Sequence, residues 1–145
     1  MKSNSNYTAN VNPRLGWLGL LGFLGFVGFY TYQLNSMFFP FCFLCLFGLF
    51  GLFYDGKMKH TLKDEMYKDN ERKATLKALK LGFGFSYALV IVSSLGIWDI
   101  IANKDFLLIF LLIGMSLNVA LVVFLSKFYL YKYDSLEKDN EGDMQ

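Results

Sequence analysis

The chain has one histidine (His60), two cysteines and two prolines, and only 18% of its 145 residues are charged. Each scarcity excludes something. Two cysteines and a lone histidine leave a tetrahedral zinc site short of ligands. His60 has no Ser or Cys nucleophile motif beside it and reads as a surface residue rather than a general base. There is no phosphate-cradling glycine loop, dinucleotide fingerprint or HExxH pair, so the sequence calls for no metal or cofactor and offers no catalytic residue. A net charge of +2 provides no footprint for nucleic acid. No small-x-small cleavage site follows the first apolar run, so that run is expected to be a retained anchor rather than a signal peptide. The long apolar intervals hold no ionisable residue, which argues against a proton-coupled pump acting alone.

What is present is apolar. The chain is 54% hydrophobic and 19% aromatic, with sixteen Phe, and its mean hydropathy is +0.36. The apolar residues come in blocks without a 3.6- or 2-residue alternation, the pattern of membrane spans rather than of a water-facing core. The expected fold is an all-α integral membrane protein, a four-helix transmembrane bundle of two antiparallel hairpins. Residues 1–14 form a polar N-terminal segment. The first hairpin, 15–54, has spans 15–32 and 37–54 joined by the short uncharged link Gln33–Ser36. Residues 55–77 form a charged amphipathic segment. The second hairpin, 78–125, has spans 78–98 and 106–125, and residues 126–145 form a tail expected to fray. Eighteen residues of α-helix cover ~27 Å, enough for the hydrocarbon layer. Pro40 falls in the first turn of the second span, where no helical N–H is lost.

Orientation follows from the lysines and arginines. All but Lys104 fall on one side, in the N-terminal segment, the charged segment and the tail. The aromatic belts agree: Trp17, Tyr54, Tyr129 and Tyr131 mark the inner ends, and Tyr30, Tyr32 and Trp98 the outer ends. Both termini are expected in the cytoplasm, in a multi-pass protein of the cell membrane.

The charged segment is more than a linker. Thr61-Leu62-Lys63-Asp64 has capping-box spacing with Asp in place of Glu. Met58, Leu62 and Met66 recur every four residues and would share a helix face. A helix starting near Thr61 meets no Gly or Pro until Gly82 and could run straight into the third span. Alternatively, 57–70 lies on the inner leaflet with its lysines toward anionic lipid. Asp64-Glu65, then Asn70, then Lys73-Ala74, leading into a span, resembles the signature of small four-span bacterial membrane proteins of unknown function. The Leu-Gly-Phe steps of Leu18–Phe29 are similar too. The sequence departs at Met66, where that family usually has Arg. The resemblance implies no catalytic residue. It implies neighbourhood with small helix-turn-helix regulators, and by association a role in signalling or in immunity to membrane-active peptides. Asp64, Glu65, Asn70 and Lys73 are the candidate partner surface.

Three further patterns lie within the spans. Gly16, Gly19, Gly22, Gly25 and Gly28 recur every third residue, echoed by Gly48 and Gly51. On an α-helix, 300° per step makes a slow spiral of notches suited to helix packing, or to self-association. Cys42-Phe43-Leu44-Cys45 has the spacing of a helix-start disulfide and is similar to quinone-linked, disulfide-generating membrane oxidoreductases. It lacks a second cysteine pair, and two small apolar residues in lipid are the plainer reading. Ser86 and Asn118 lie eight and seven residues from the inner ends of their spans, at a depth where they could hydrogen-bond.

The expected function is that of a non-enzymatic small membrane protein, a sensing, signalling or immunity-type accessory working through its charged segment and helix packing. The alternatives are a thiol-disulfide oxidoreductase using Cys42 and Cys45, or an accessory subunit of a transporter. The expected partners are the lipid bilayer, a cytoplasmic or membrane protein, and further copies of the chain.

Overall fold

The computed structural model describes residues 13–58, 65–94 and 104–142. The capping box at Thr61–Asp64 and most of the turn between the last two spans lie outside the described residues. Four helices are long and apolar enough to cross a membrane, and no strand occurs among the described residues. The first helix is a 3₁₀-helix over Pro13–Phe26 that continues as an α-helix over Val27–Asn35. The second repeats that order, 3₁₀ over Phe39–Gly51 and α over Leu52–Lys57, with Pro40 in its first turn. The third, Glu65–Ser94, and the fourth, Lys104–Gly142, are α-helical.

Long 3₁₀ runs are uncommon because side chains at i and i+3 eclipse. Here the sequence makes each eclipsed row uniform. Residues 15–29 read LGW-LGL-LGF-LGF-VGF. The glycine row has no side chains to collide. Rings in the next row stack along the helix, Phe23 on Phe26 at 6.1 Å and Phe26 on Phe29 at 6.5 Å. That spacing matches the ~6 Å rise of one 3₁₀ turn. The glycines therefore form a straight row, not the slow spiral that 100° per residue would give.

That row meets a row of equal period. Built onto Gly16, Gly19, Gly22, Gly25 and Gly28 in turn, a Cβ would strike Phe53, Phe50, Phe47, Leu44 and Phe41, each at 2.5–2.8 Å. Every step of three up the first helix is a step of three down the second. Edge-on ring contacts flank this antiparallel zipper, with Phe23 on Phe47 at 5.1 Å and Phe29 on Phe41 at 5.0 Å. The turn between the helices is closed at Ser36, whose left-handed backbone (φ 52°) lets its N–H donate to the Tyr32 carbonyl at 3.0 Å.

A second row on the second helix is also small: Cys42, Cys45, Gly48, Gly51. Gly48 lies against Ala120 and Val123, and Gly51 against Phe124 and Lys127. The third helix offers Ala74, Ala78, Gly82 and Leu89 to the fourth. Neighbours in the bundle thus run first, second, fourth, third, and among the described residues no comparable contact joins the first helix to the third. Each helix keeps a wide apolar face outward: only 17–28% of each apolar window is buried within protein, so most of that surface is left to lipid.

At one end the helices outrun the apolar layer. The third and fourth are ~45 and ~58 Å long at 1.5 Å per residue, against a ~30 Å hydrocarbon core. The charged segment from Glu65 is continuous α-helix with the third span. Where a fraying tail was expected from residue 126, the fourth helix runs on to Gly142, with Leu130 and Asp134 buried. The physical reason is a small core beyond the spans, formed by Met58, Ala74 and Leu130 under the rings of Tyr67, Tyr129, Tyr131 and Tyr133.

Candidate functional site at the charged end

This end of the bundle concentrates nearly all the polar chemistry. The last turn of the second helix carries Asp55, whose Oδ2 lies 2.9 Å from Lys127 Nζ on the fourth helix. The Asp55 side chain is 10% exposed and that of Lys127 29%. Asp55 Oδ1 is buried and has no hydrogen-bond partner among the described residues. The approach depends on Gly51. Its absent Cβ would sit 3.2 Å from Cβ and Cγ of Lys127, so the lysine stem lies across bare backbone and carries its ammonium one turn along to Asp55.

Aromatic faces hold two further lysines. Lys57 Nζ stands 5.5 Å from the ring centres of both Tyr54 and Tyr131. Lys77 Nζ stands 4.5 Å from Tyr129 and 6.0 Å from Tyr133. Such contacts contribute ~0.5–1 kcal/mol at exposed positions. Tyr54 also packs edge-on against Phe124 and Phe128 at 5.7 and 5.5 Å. Tyr67, in the charged segment of the third helix, has its phenol pushed up to about 12 by burial and by the negative charges of Glu71, Asp55 and Asp134. It stays a protonated donor across the physiological range.

The candidate partner surface is only partly assembled. Glu65 and Lys73 are exposed. Lys73 pairs with Asp69 at 2.6 Å one helical turn away, and both side chains are more than half exposed, so that pair contributes ~0.3–0.5 kcal/mol at most. Asn70 is half-buried, on the side of the helix that carries Tyr67 and Ala74. Asp64 lies outside the described residues. Met58 and Met66 do not share a face: Met58 ends the second helix in the small core, whereas Met66 is exposed. Sequence reasoning placed Asp55 at the start of the charged amphipathic segment and missed its burial. The available signal was Gly51 four residues earlier, a missing side chain on the same helical face.

Within the spans, Cys42 and Cys45 are free thiols, Cys42 exposed and Cys45 half-buried. They continue the small row of Gly48 and Gly51. Asn118 Nδ2 donates to Ser86 Oγ at 2.6 Å, joining the third and fourth helices. No group of three or more His, Cys, Asp or Glu among the described residues is placed to hold a metal ion.

No curated protein and no solved structure matches the chain. A family model matches residues 12–133, which take in all four apolar helices and the charged end as far as Tyr133. The chain belongs to the family described as "Predicted membrane protein (DUF2178)", a membrane protein family of unknown function.

Proposed function

We propose that the protein is a non-enzymatic sensing or signalling accessory of the membrane, of the kind that also serves immunity to membrane-active peptides. Its output surface is the charged end, and both termini face the cytoplasm. The observation that carries this reading is the Asp55–Lys127 pair beneath the lysine–tyrosine cluster. Ordering two charges and a tyrosine-rich core outside the lipid is not needed to anchor four apolar helices. It gives the second, third and fourth helices a shared rigid platform through which packing changes in the spans reach the exposed face of Glu65, Asp69, Arg72 and Lys73. In the small row, Gly48 and Gly51 pack on the fourth helix, and the oxidoreductase alternative would rest on Cys42 and Cys45 alone, both free thiols.

The test is genetic. Deleting the protein in its native host should change a discrete set of transcripts, and the wild-type chain should restore them. Asp64→Ala with Glu65→Ala should insert at the wild-type level and fail to restore them. Full restoration by that double variant would overturn the reading.

A further inference from the structure

Between the third and fourth helices, on the face turned to lipid, lies a hollow of about 100 Å³ lined by Leu79, Gly82, Phe83, Ser86, Asn118 and Val122. Its floor exists because residue 82 has no side chain. A Cβ there would collide with Val122 Cγ2 and sit 3.2 Å from Asn118 Oδ1. The same oxygen is buried and accepts no hydrogen bond among the described residues, and Asn118 as a whole is only 8% exposed. Its amide nitrogen is already committed to Ser86 Oγ. Ser86 in turn donates to no acceptor among the described residues. The hollow therefore presents one unmet acceptor and one unmet donor side by side. An unmet polar group costs most where water is scarce.

We propose that this hollow binds the head of a neutral membrane amphiphile with a free hydroxyl, such as a long-chain alcohol. A hydroxyl supplies what the two groups lack, a hydrogen for Asn118 Oδ1 and an oxygen for the Ser86 proton. If the Asn118 amide is turned over, Ser86 donates to its oxygen and the freed N–H donates to the same hydroxyl oxygen, so the match survives either assignment. The volume admits a hydroxyl and the first two or three carbons behind it, at roughly 30 Å³ per group. Depth fits as well. Ser86 lies six residues beyond Lys80, and Asn118 nine before Lys127, so the pair sits ~9–13 Å inside the charged boundary. A neutral head can sink to that level and a charged one cannot. The chain of such a molecule leaves past Leu79 and the outward-facing Phe83, 72% exposed, into the bilayer. This site does not rest on the charged-end reading, and either can fail without the other.

The test uses the full-length protein in phosphatidylcholine vesicles and a hexadecanol probe with a photoreactive diazirine near its hydroxyl end. Labelling should map to the peptides around residues 79–86 and 118–122, and unlabelled hexadecanol should compete. The methyl ether of the probe, Ser86→Ala and Asn118→Leu should each lower labelling by about threefold to tenfold, the effect of one hydrogen bond lost in lipid. Gly82→Ala should abolish it by filling the hollow. Gly84→Ala, on backbone with open space around it, should leave it unchanged and serves as the folding control. Equal labelling by the ether, labelling spread over all four helices, or labelling of wild type no stronger than by a hexadecane probe (water alone filling the hollow) would each overturn the proposal.

Discussion

Gly48 rests directly on the backbone of Ala120. A Cβ at residue 48 would lie 2.9 Å from the Ala120 carbonyl oxygen and 3.0 Å from its Cα. A side chain can rotate away from such a clash and a helix backbone cannot. Gly48→Ala should therefore lower stability in detergent by about 1–3 kcal/mol, the usual range for overpacking. Gly84→Ala should be neutral or slightly stabilising, because a Cβ there has nothing within 4 Å and alanine favours helix. Equal unfolding curves for the two variants would contradict the contact between the second and fourth helices.

The zipper of the first hairpin makes a register-specific prediction. Gly22→Ala strikes the Phe47 ring. Combining it with Phe47→Ala should recover part of the loss, with a coupling of about 1 kcal/mol in a double-mutant cycle. Combining it with Phe53→Ala, which faces Gly16 instead, should be additive. Coupling to the wrong phenylalanine would show that the two rows do not run in step.

Lys127→Met should be costly for a lysine substitution, about 3–5 kcal/mol, because it strands the buried Asp55 carboxylate. Removing both charges together, with Asp55→Leu and Lys127→Met, should return stability to within about 1–2 kcal/mol of wild type. A double variant worse than the single would mean that the pair holds the charged end together by attraction.

The phenol of Tyr67 ionises near 10 when the chain is unfolded and at about 12 in the fold. The folded state holds that proton more tightly. Its contribution to stability is complete below pH 10 and is lost as pH rises toward 12. In an ultraviolet titration at 295 nm, Tyr67→Phe should delete one late-ionising tyrosine. Loss of a tyrosine that ionises near 10 instead would place Tyr67 in water.

Orientation is checked by reporters fused after Gln145. A cytoplasmic reporter should be active there and a secreted-type reporter silent; the opposite result would invert the charge-based assignment.

How much of this was legible beforehand varies by feature. The apolar blocks carry the helices, and counting residues from the charged ends put Ser86 and Asn118 at one depth. The three-residue glycine period was equally visible in the chain. Its meaning was not, because a period of three is a spiral at 100° per residue and a line at 120°, and the rotation is decided by the row of rings on the second helix. Asp55 was obscured for a related reason. Its partner, Lys127, is distant in sequence, and only the helix order first, second, fourth, third brings the two together. The core of Met58, Ala74 and Leu130 draws one residue from each of three helices, so no local pattern announces it.

The first hairpin has a further property. A 3₁₀-helix climbs ~2.0 Å per residue and an α-helix ~1.5 Å, so recoiling Pro13–Phe26 into the common form would shorten it by ~7 Å. It would also turn Gly16, Gly19, Gly22 and Gly25 away from the side chains they face, and those four contacts would fail together. The hairpin is thus a ruler of fixed length. It cannot shrink into a thin bilayer turn by turn, so the membrane around it must supply the match or the hairpin must tilt.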